Sequence, residues 1–195
     1  MSVNPKILKR NFYKKDTLDV AQALLGCFLI RKIGKKTIRA MITDVEAYVG
    51  EDDLACHASK GRTPRTEIMY GEAGHAYVYF VYGMHNIINF ITEKKNFPAA
   101  VMLRGIEINQ GDGHLVSFGR FGRETPSVLR VSGPGRLTKF MRIDRKLNGW
   151  NLTKGEKLWV EKGIKVPKNK IRKSKRVGID YAKHCKHYLW RFYLA

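Results

Sequence analysis

Four glutamates, Glu46 first among them, three histidines and five tyrosines fall between Val45 and Asn89, in a chain whose formal net charge is +20. Val45-Glu46-Ala47-Tyr48 sets a carboxylate beside an aromatic ring. Tyr77-Val78-Tyr79-Phe80-Val81-Tyr82-Gly83 offers flat faces for stacking, and Arg62-Thr63-Pro64-Arg65 offers cations. A carboxylate of ordinary acidity, pKa roughly 4.3, is ionised at neutral pH and can take a proton from water. Aromatic rings in a basic protein can stack on nucleobases, an interaction worth about 1–3 kcal/mol per base. Taken together, these residues point to an enzyme that handles a base within a polyanion. Taken singly they say less: an isolated strand-end glutamate is usually solvated, and Tyr77 and Tyr79 are ordinary strand residues. Tyr82 beside Gly83 is a separate case, because an aromatic at a hairpin tip can wedge into a base step.

The acidic residues admit a competing chemistry. Asp44, Glu46, Glu51, Asp52 and Asp53 place five of the 17 acids within ten residues, and with His57 or His75 they could hold a metal for a nuclease. The spacing argues against it. There is no Cys-x-x-Cys, His-Glu-x-x-His or calcium-loop pattern, and Cys56-His57 is an isolated pair. Neither a metal nor a cofactor is expected. The run Glu51-Asp52-Asp53 follows Gly50 and reads as a solvated turn.

The elements that must position these residues follow from capping and alternation. Asp16 caps a helix over about 17 to 25, with Leu18, Ala21 and Leu25 on one face and Gly26 just beyond its end. Cys27 to Ile33 and Thr37 to Tyr48 read as a hairpin turning at Gly34-Lys35-Lys36. Strict period two along the second strand puts Ile38, Ala40, Ile42, Asp44, Glu46 and Tyr48 on one face, an apolar face that becomes ionisable toward its end. Ala76 to Val81 and Asn86 to Thr92 form another antiparallel pair with Tyr82 near the tip. Ala99 to Ile108 is a strand, and the glycines of 109 to 123 break any periodicity. Ser132-Gly133-Pro134-Gly135 opens a short helix from Arg136 to Met141, whose free amides could meet a phosphate or simply end a turn. Leu158 to Glu161 and Leu189 to Leu194 close the fold as strands, with 162 to 176 as a lysine-rich loop.

Composition bounds the class. At 195 residues and 44% hydrophobic content the chain suits one domain with a real core, and a disordered tail protein is excluded. Lysine plus arginine number 37 against 17 acids, which favours an anionic partner, nucleic acid first. Residues 162 to 195 hold eleven of those cations against Asp180 alone, so half the net charge sits there. Cys27, Cys56 and Cys185 are too few and too scattered for a disulfide framework, which argues for a reducing compartment. No export signal or membrane span is visible. The expected locations are the cytoplasm with its nucleoid, or the nucleus.

The motif string is specific enough to carry a family resemblance. Val45 through Asp52, Cys56-His57, Gly61-Arg62-Thr63-Pro64-Arg65, Gly74 through Tyr79 and Tyr82-Gly83-Met84-His85 through Asn89 occur in order. Leu103-Arg104, Ser132 through Gly135, Leu147-Asn148-Gly149, Arg176-Val177-Gly178 and Arg191-Phe192-Tyr193 follow. This pattern resembles the alkyladenine (3-methyladenine, methylpurine) DNA glycosylases. Asp44-Val45 stands where Glu-Thr often precedes the Glu-Ala-Tyr of that family, and 109 to 123 lacks the methionine and paired arginines typical there.

The resemblance implies an α+β fold, a single domain over 1–195 with a curved, mainly antiparallel sheet flanked by helices. It implies a monomeric, monofunctional base-excision enzyme acting on double-stranded DNA that contains damaged purines, with no membrane partner. Glu46 would activate the attacking water, which Arg104 and the backbone of Val177 would help hold. Tyr48 and His57 would pack on one face of the extruded base and Tyr79 on the other, Asn89 would screen its edge against guanine, and Tyr82 would intercalate in the gap. A non-enzymatic protein that reads distorted DNA is the alternative.

Overall fold

The structure, a computed structural model, describes residues 6–109 and 128–194. A single turn, α1 (Arg10–Tyr13), precedes α2 (Thr17–Leu24), where the Asp16 carboxylate accepts hydrogen bonds from the Leu18 and Asp19 amides. The buried face of α2 is Thr17, Val20, Ala21 and Leu24. Leu25 does not share it as a helical residue, because the backbone is already extended there, one residue before Gly26 turns the chain at φ +82°.

Among the described residues nine strands follow: β1 (Phe28–Ile33), β2 (Lys36–Val49), β3 (Ala76–Val81), β4 (His85–Ile91), β5 (Ala99–Asn109), β6 (Val128–Ser132), β7 (Leu158–Glu161), β8 (Ile171–Ser174) and β9 (Arg191–Leu194). A third helix, α3 (Pro134–Phe140), lies between β6 and β7. The strands form one sheet in the order β3-β4-β5-β2-β1-β7, with β6 on β5, β9 on β2 and β8 on β9. Every pairing between these strands is antiparallel. The α+β architecture with a mainly antiparallel sheet is therefore the one expected.

Two strands run through the whole sheet and change partners midway. The first half of β2 pairs with β1 and its second half, Asp44 to Glu46, with β9. Opposite it, β5 pairs first with β4 and then, from Gly105 on, with β6. The exchange coincides with a bulge, since the β2–β5 register slips between Ile42 and Val45. Ile38, Ala40 and Ile42 belong to the main core, and beyond the bulge so do Val45 and Ala47. Thr43 on β2 and Arg104 on β5 are each passed over in the pairing, and the phase reverses, so Glu46 and Tyr48 face away from that core rather than continuing the face of Ile38, Ala40 and Ile42. Gly105 makes the bulge possible: a Cβ there would stand 2.8 Å from the Asp44 Cβ.

Two segments differ from the sequence expectation. Residues 162 to 176 are not loop throughout, because β8 pairs with β9 from Ile171 to Ser174 and Ile171 packs against the core. The surrounding cations hide so short an alternation. The acidic run after Gly50 is also not simply solvated. Asp53 is buried, accepts from the Val49 and Ala55 amides, and pairs with Arg176 through two contacts of 2.6 and 2.8 Å. Glu51 accepts from the Tyr70 hydroxyl, and Asp52 alone of the three keeps an exposed, turn-like position without such a side-chain partner. Residues 110 to 127, which include most of the glycine-rich stretch, lie outside the described residues. Among the described residues no helix is long and apolar enough to cross a membrane, and the three cysteines are free and buried.

Asp53→Ala leaves the Arg176 guanidinium buried without its counter-ion, a change that typically costs about 3–5 kcal/mol. A large fall in the urea midpoint, with an unchanged slope, is the expected result.

Candidate active site

The bulge decides where the carboxylate goes. Glu46 is wholly inaccessible to solvent, yet it lies directly beneath a cavity of about 300 Å³, near the lower end of the usual size range for ligand pockets. A buried anion is costly unless donors replace its water. Oε1 accepts from the Val177 amide at 2.8 Å and lies 3.3 Å from Nε of Arg104, while Oε2 accepts from the Tyr48 hydroxyl at 2.8 Å. All three partners line the cavity. The Arg104 Nε is buried and finds no better-aligned partner than this carboxylate, so the contact is an ion pair rather than a well-formed hydrogen bond.

These contacts set the acidity of Glu46. Burial raises its pKa, and Arg104, the Val177 amide and the Tyr48 hydroxyl pull it back by favouring the anion. The result is a carboxylate that is a stronger base than one in water and is still held in its charged form by specific donors.

The cavity walls come from the hairpin β3–β4, the turn at His57, β5 and the segment from Val177 to Tyr181. The His57 Nδ1 lies 2.9 Å from the Tyr77 hydroxyl, and the His57 and Tyr79 rings meet edge to face at 4.6 Å. Burial, with the nearby charge of Arg65, pushes the His57 pKa down to about 4. The imidazole is neutral at physiological pH, and burial raises the Tyr48 and Tyr79 pKa values, so the rings carry no charge. Asn89 is buried on β4, tied to the Tyr77 carbonyl at 3.2 Å, and reaches the cavity. Tyr82 stands at the hairpin tip, 88% exposed, with φ +52°. The Met84 amide donates to the Val81 carbonyl across Tyr82-Gly83, and the left-handed backbone at both central residues is that of a type I′ turn.

A family model for methylpurine-DNA glycosylase matches residues 11–195 of this sequence. A protein of Methanocella arvoryzae is 43% identical over 187 residues, covering 96% of this chain and 92% of its own. Another from Desulfitobacterium hafniense is 41% identical over 196 residues, covering 97% and 95%, and one from Clostridium acetobutylicum is 41% identical over 194 residues, covering 96% and 93%. All three carry the provisional name 3-methyladenine DNA glycosylase. The chain belongs to the methylpurine-DNA glycosylase family.

In this glycosylase-family chain Glu46, Tyr48, Arg104 and Val177 meet in one cluster, and His57, Tyr79, Asn89 and Tyr82 surround the adjoining cavity. Sequence reasoning gave no definite place in the site to several neighbours. Tyr77 orients His57, Arg65 lies over the Tyr79 ring at 5.2 Å, and Tyr181, 69% exposed, lines the mouth near Val177. The sequence offers no periodicity that would join Tyr181 to a hairpin a hundred residues earlier. Arg176 was visible only as part of a motif, and its pairing with Asp53 was not.

Removing the Tyr48 hydroxyl takes away a donor that favours the Glu46 anion. In Tyr48→Phe the Glu46 pKa therefore rises, so the carboxylate protonates at a higher pH than in the parent protein. A carbon-13 NMR titration of labelled glutamate carboxyls reads this directly, and an unchanged or lower pKa contradicts the assignment of that hydrogen bond.

Proposed function

We propose that this protein is a monofunctional DNA glycosylase that extrudes an alkylated purine from duplex DNA and hydrolyses its N-glycosidic bond. The observation that carries the reading is the buried Glu46, supplied with three donors directly beneath a cavity walled by uncharged aromatic rings. Family membership and the names of the relatives agree with it.

A base in a duplex must leave the stack before a pocket can act on it, at a cost of a few kcal/mol that damage reduces. Tyr82, exposed at the hairpin tip, fills the gap. Tyr48 and His57 take one face of the extruded base and Tyr79 the other, which requires the touching His57 and Tyr79 rings to part. Alkylation at N3 or N7 leaves the purine cationic, and an aromatic wall attracts it more than a normal base. The neutral His57 adds no repulsion. Asn89, fixed by the Tyr77 carbonyl, presents its amide to the base edge and screens out guanine.

Water approaches between Arg104, Val177 and Tyr48. Glu46 takes the proton, the water oxygen bonds to C1′, and the C1′–N9 bond breaks with its electrons leaving on the base. The Glu46 charge also stabilises the oxocarbenium-like sugar. A cationic 3-methyladenine or 7-methylguanine departs neutral and needs no acid. Neutral hypoxanthine or ethenoadenine needs a proton, and His57, with a pKa near 4, is a poor donor at neutral pH.

Methylated duplex DNA incubated with the protein should yield free 3-methyladenine by mass spectrometry, with abasic sites in an intact backbone and no effect of EDTA. Glu46→Gln should lose about 10²–10⁴-fold in release while still binding the DNA. Binding to lesions without any released base would support the non-enzymatic alternative. EDTA-sensitive strand breaks would support a metal nuclease. Full activity of Glu46→Gln would refute the mechanism.

The raised Glu46 pKa sets the acid limb. Activity falls as the carboxylate is protonated on lowering the pH, with a midpoint above that of an exposed glutamate. A single-turnover rate profile between pH 4 and pH 8, taken as a rough working range, checks the direction.

A further inference from the structure

Arg176 lies over the Tyr48 ring, its guanidinium carbon 4.8 Å from the ring centre, and 5.0 Å from the centre of Trp190. It is buried and takes no part in lining the cavity, whereas Tyr48 does. The guanidinium is fixed by Asp53 and by the carbonyls of Ala47 at 2.9 Å and Cys185 at 3.3 Å. Tyr48 is equally fixed, through its hydroxyl on Glu46. The ring thus stands between a permanent cation at its rear and the cavity in front.

The negative face of an aromatic ring attracts a cation, and the attraction is strongest when the ring serves only one. A second cation stacked in front of Tyr48 meets a ring already polarised toward Arg176 and also the charge of Arg176 itself. Asp53 softens that repulsion but leaves the guanidinium against the ring, 4.8 Å from its centre. A neutral purine loses nothing, since its stacking depends on dispersion and area. We propose that Arg176 is a specificity-determining residue: by occupying the rear face of Tyr48 it lowers the preference for cationic purines and brings neutral damaged purines within range. The inference rests on the reading above that Tyr48 stacks on the extruded base.

The test compares single-turnover release of 7-methylguanine, a cation, and hypoxanthine, a neutral base, from otherwise identical duplexes. The double variant Asp53→Asn/Arg176→Gln keeps hydrogen-bonding groups at both positions and removes both charges, avoiding a lone buried ion. The ratio of cationic to neutral release should rise about 3- to 10-fold over the parent protein. A merely structural role lowers both rates alike, and an unchanged ratio overturns the proposal. If the double variant does not fold, Tyr48→Leu decides. With Arg176 still in place, losing the ring should cost both lesions the same within about threefold, and a loss about tenfold greater for 7-methylguanine overturns the proposal. Parent protein that releases 7-methylguanine but no hypoxanthine also overturns it. Parent protein that releases neither base refutes instead the glycosylase reading on which it rests.

Discussion

A carboxylate with no access to solvent is the constraint around which the rest of this structure is arranged. Glu46 cannot stay charged in that position without donors, and those donors come from three places far apart in the chain: Tyr48 on the same strand, Arg104 on the neighbouring β5 and Val177 after β8. Each is also a wall of the cavity. The groups that make the buried charge tolerable are therefore the groups that any occupant of the cavity meets. The cost appears in the direction of the Glu46 pKa, which stays above its ordinary value despite all three. Natural proteins keep such local instability where reactivity requires it.

The bulge in β2 makes this arrangement possible. Before it, alternate residues fill the main core; after it, Val45 and Ala47 take that role and Glu46 and Tyr48 turn to the other side. The same point is where β2 exchanges β1 for β9 and β5 exchanges β4 for β6. One irregularity, which passes over a residue on each strand, thus does two jobs, dividing the sheet into two halves that share β2 and β5 and aiming a carboxylate out of the core. Gly105 is the matching concession on the facing strand.

The Asp53–Arg176 pair binds the site to its support. Asp53 closes the turn after β2 by accepting from Val49 and Ala55, and Arg176 precedes the amide that holds Glu46. One ion pair therefore links the end of the strand that carries Glu46 to the segment that holds the Glu46 carboxylate. A small satellite core of Ala55, Ile179, Ala182 and Cys185 packs the same junction. The pair is fully desolvated, so its value lies in fixing geometry more than in net stabilisation.

Much of this was legible in the residues alone. The α2 cap at Asp16, the β1–β2 and β3–β4 hairpins and the exposed tip at Tyr82 follow from local rules of capping, alternation and turns, because each involves neighbours in sequence. The motif string singled out residues that the fold gathers around one cavity, since glutamate, tyrosine and histidine carry their chemistry with them. What the sequence by itself did not determine was every feature that depends on partners distant in the chain. Alternation along β2 pointed Glu46 toward the core, and only the mismatch with β5 across Gly105 reversed it. Asp53 looked like a solvated turn residue until Arg176, 123 residues away, was brought against it. β8 was hidden because its cations mask a four-residue alternation that only pairing with β9 makes a strand. Residue type sets what chemistry is available, but burial and the facing of each side chain are properties of strands brought together, and tertiary structure alone decides them.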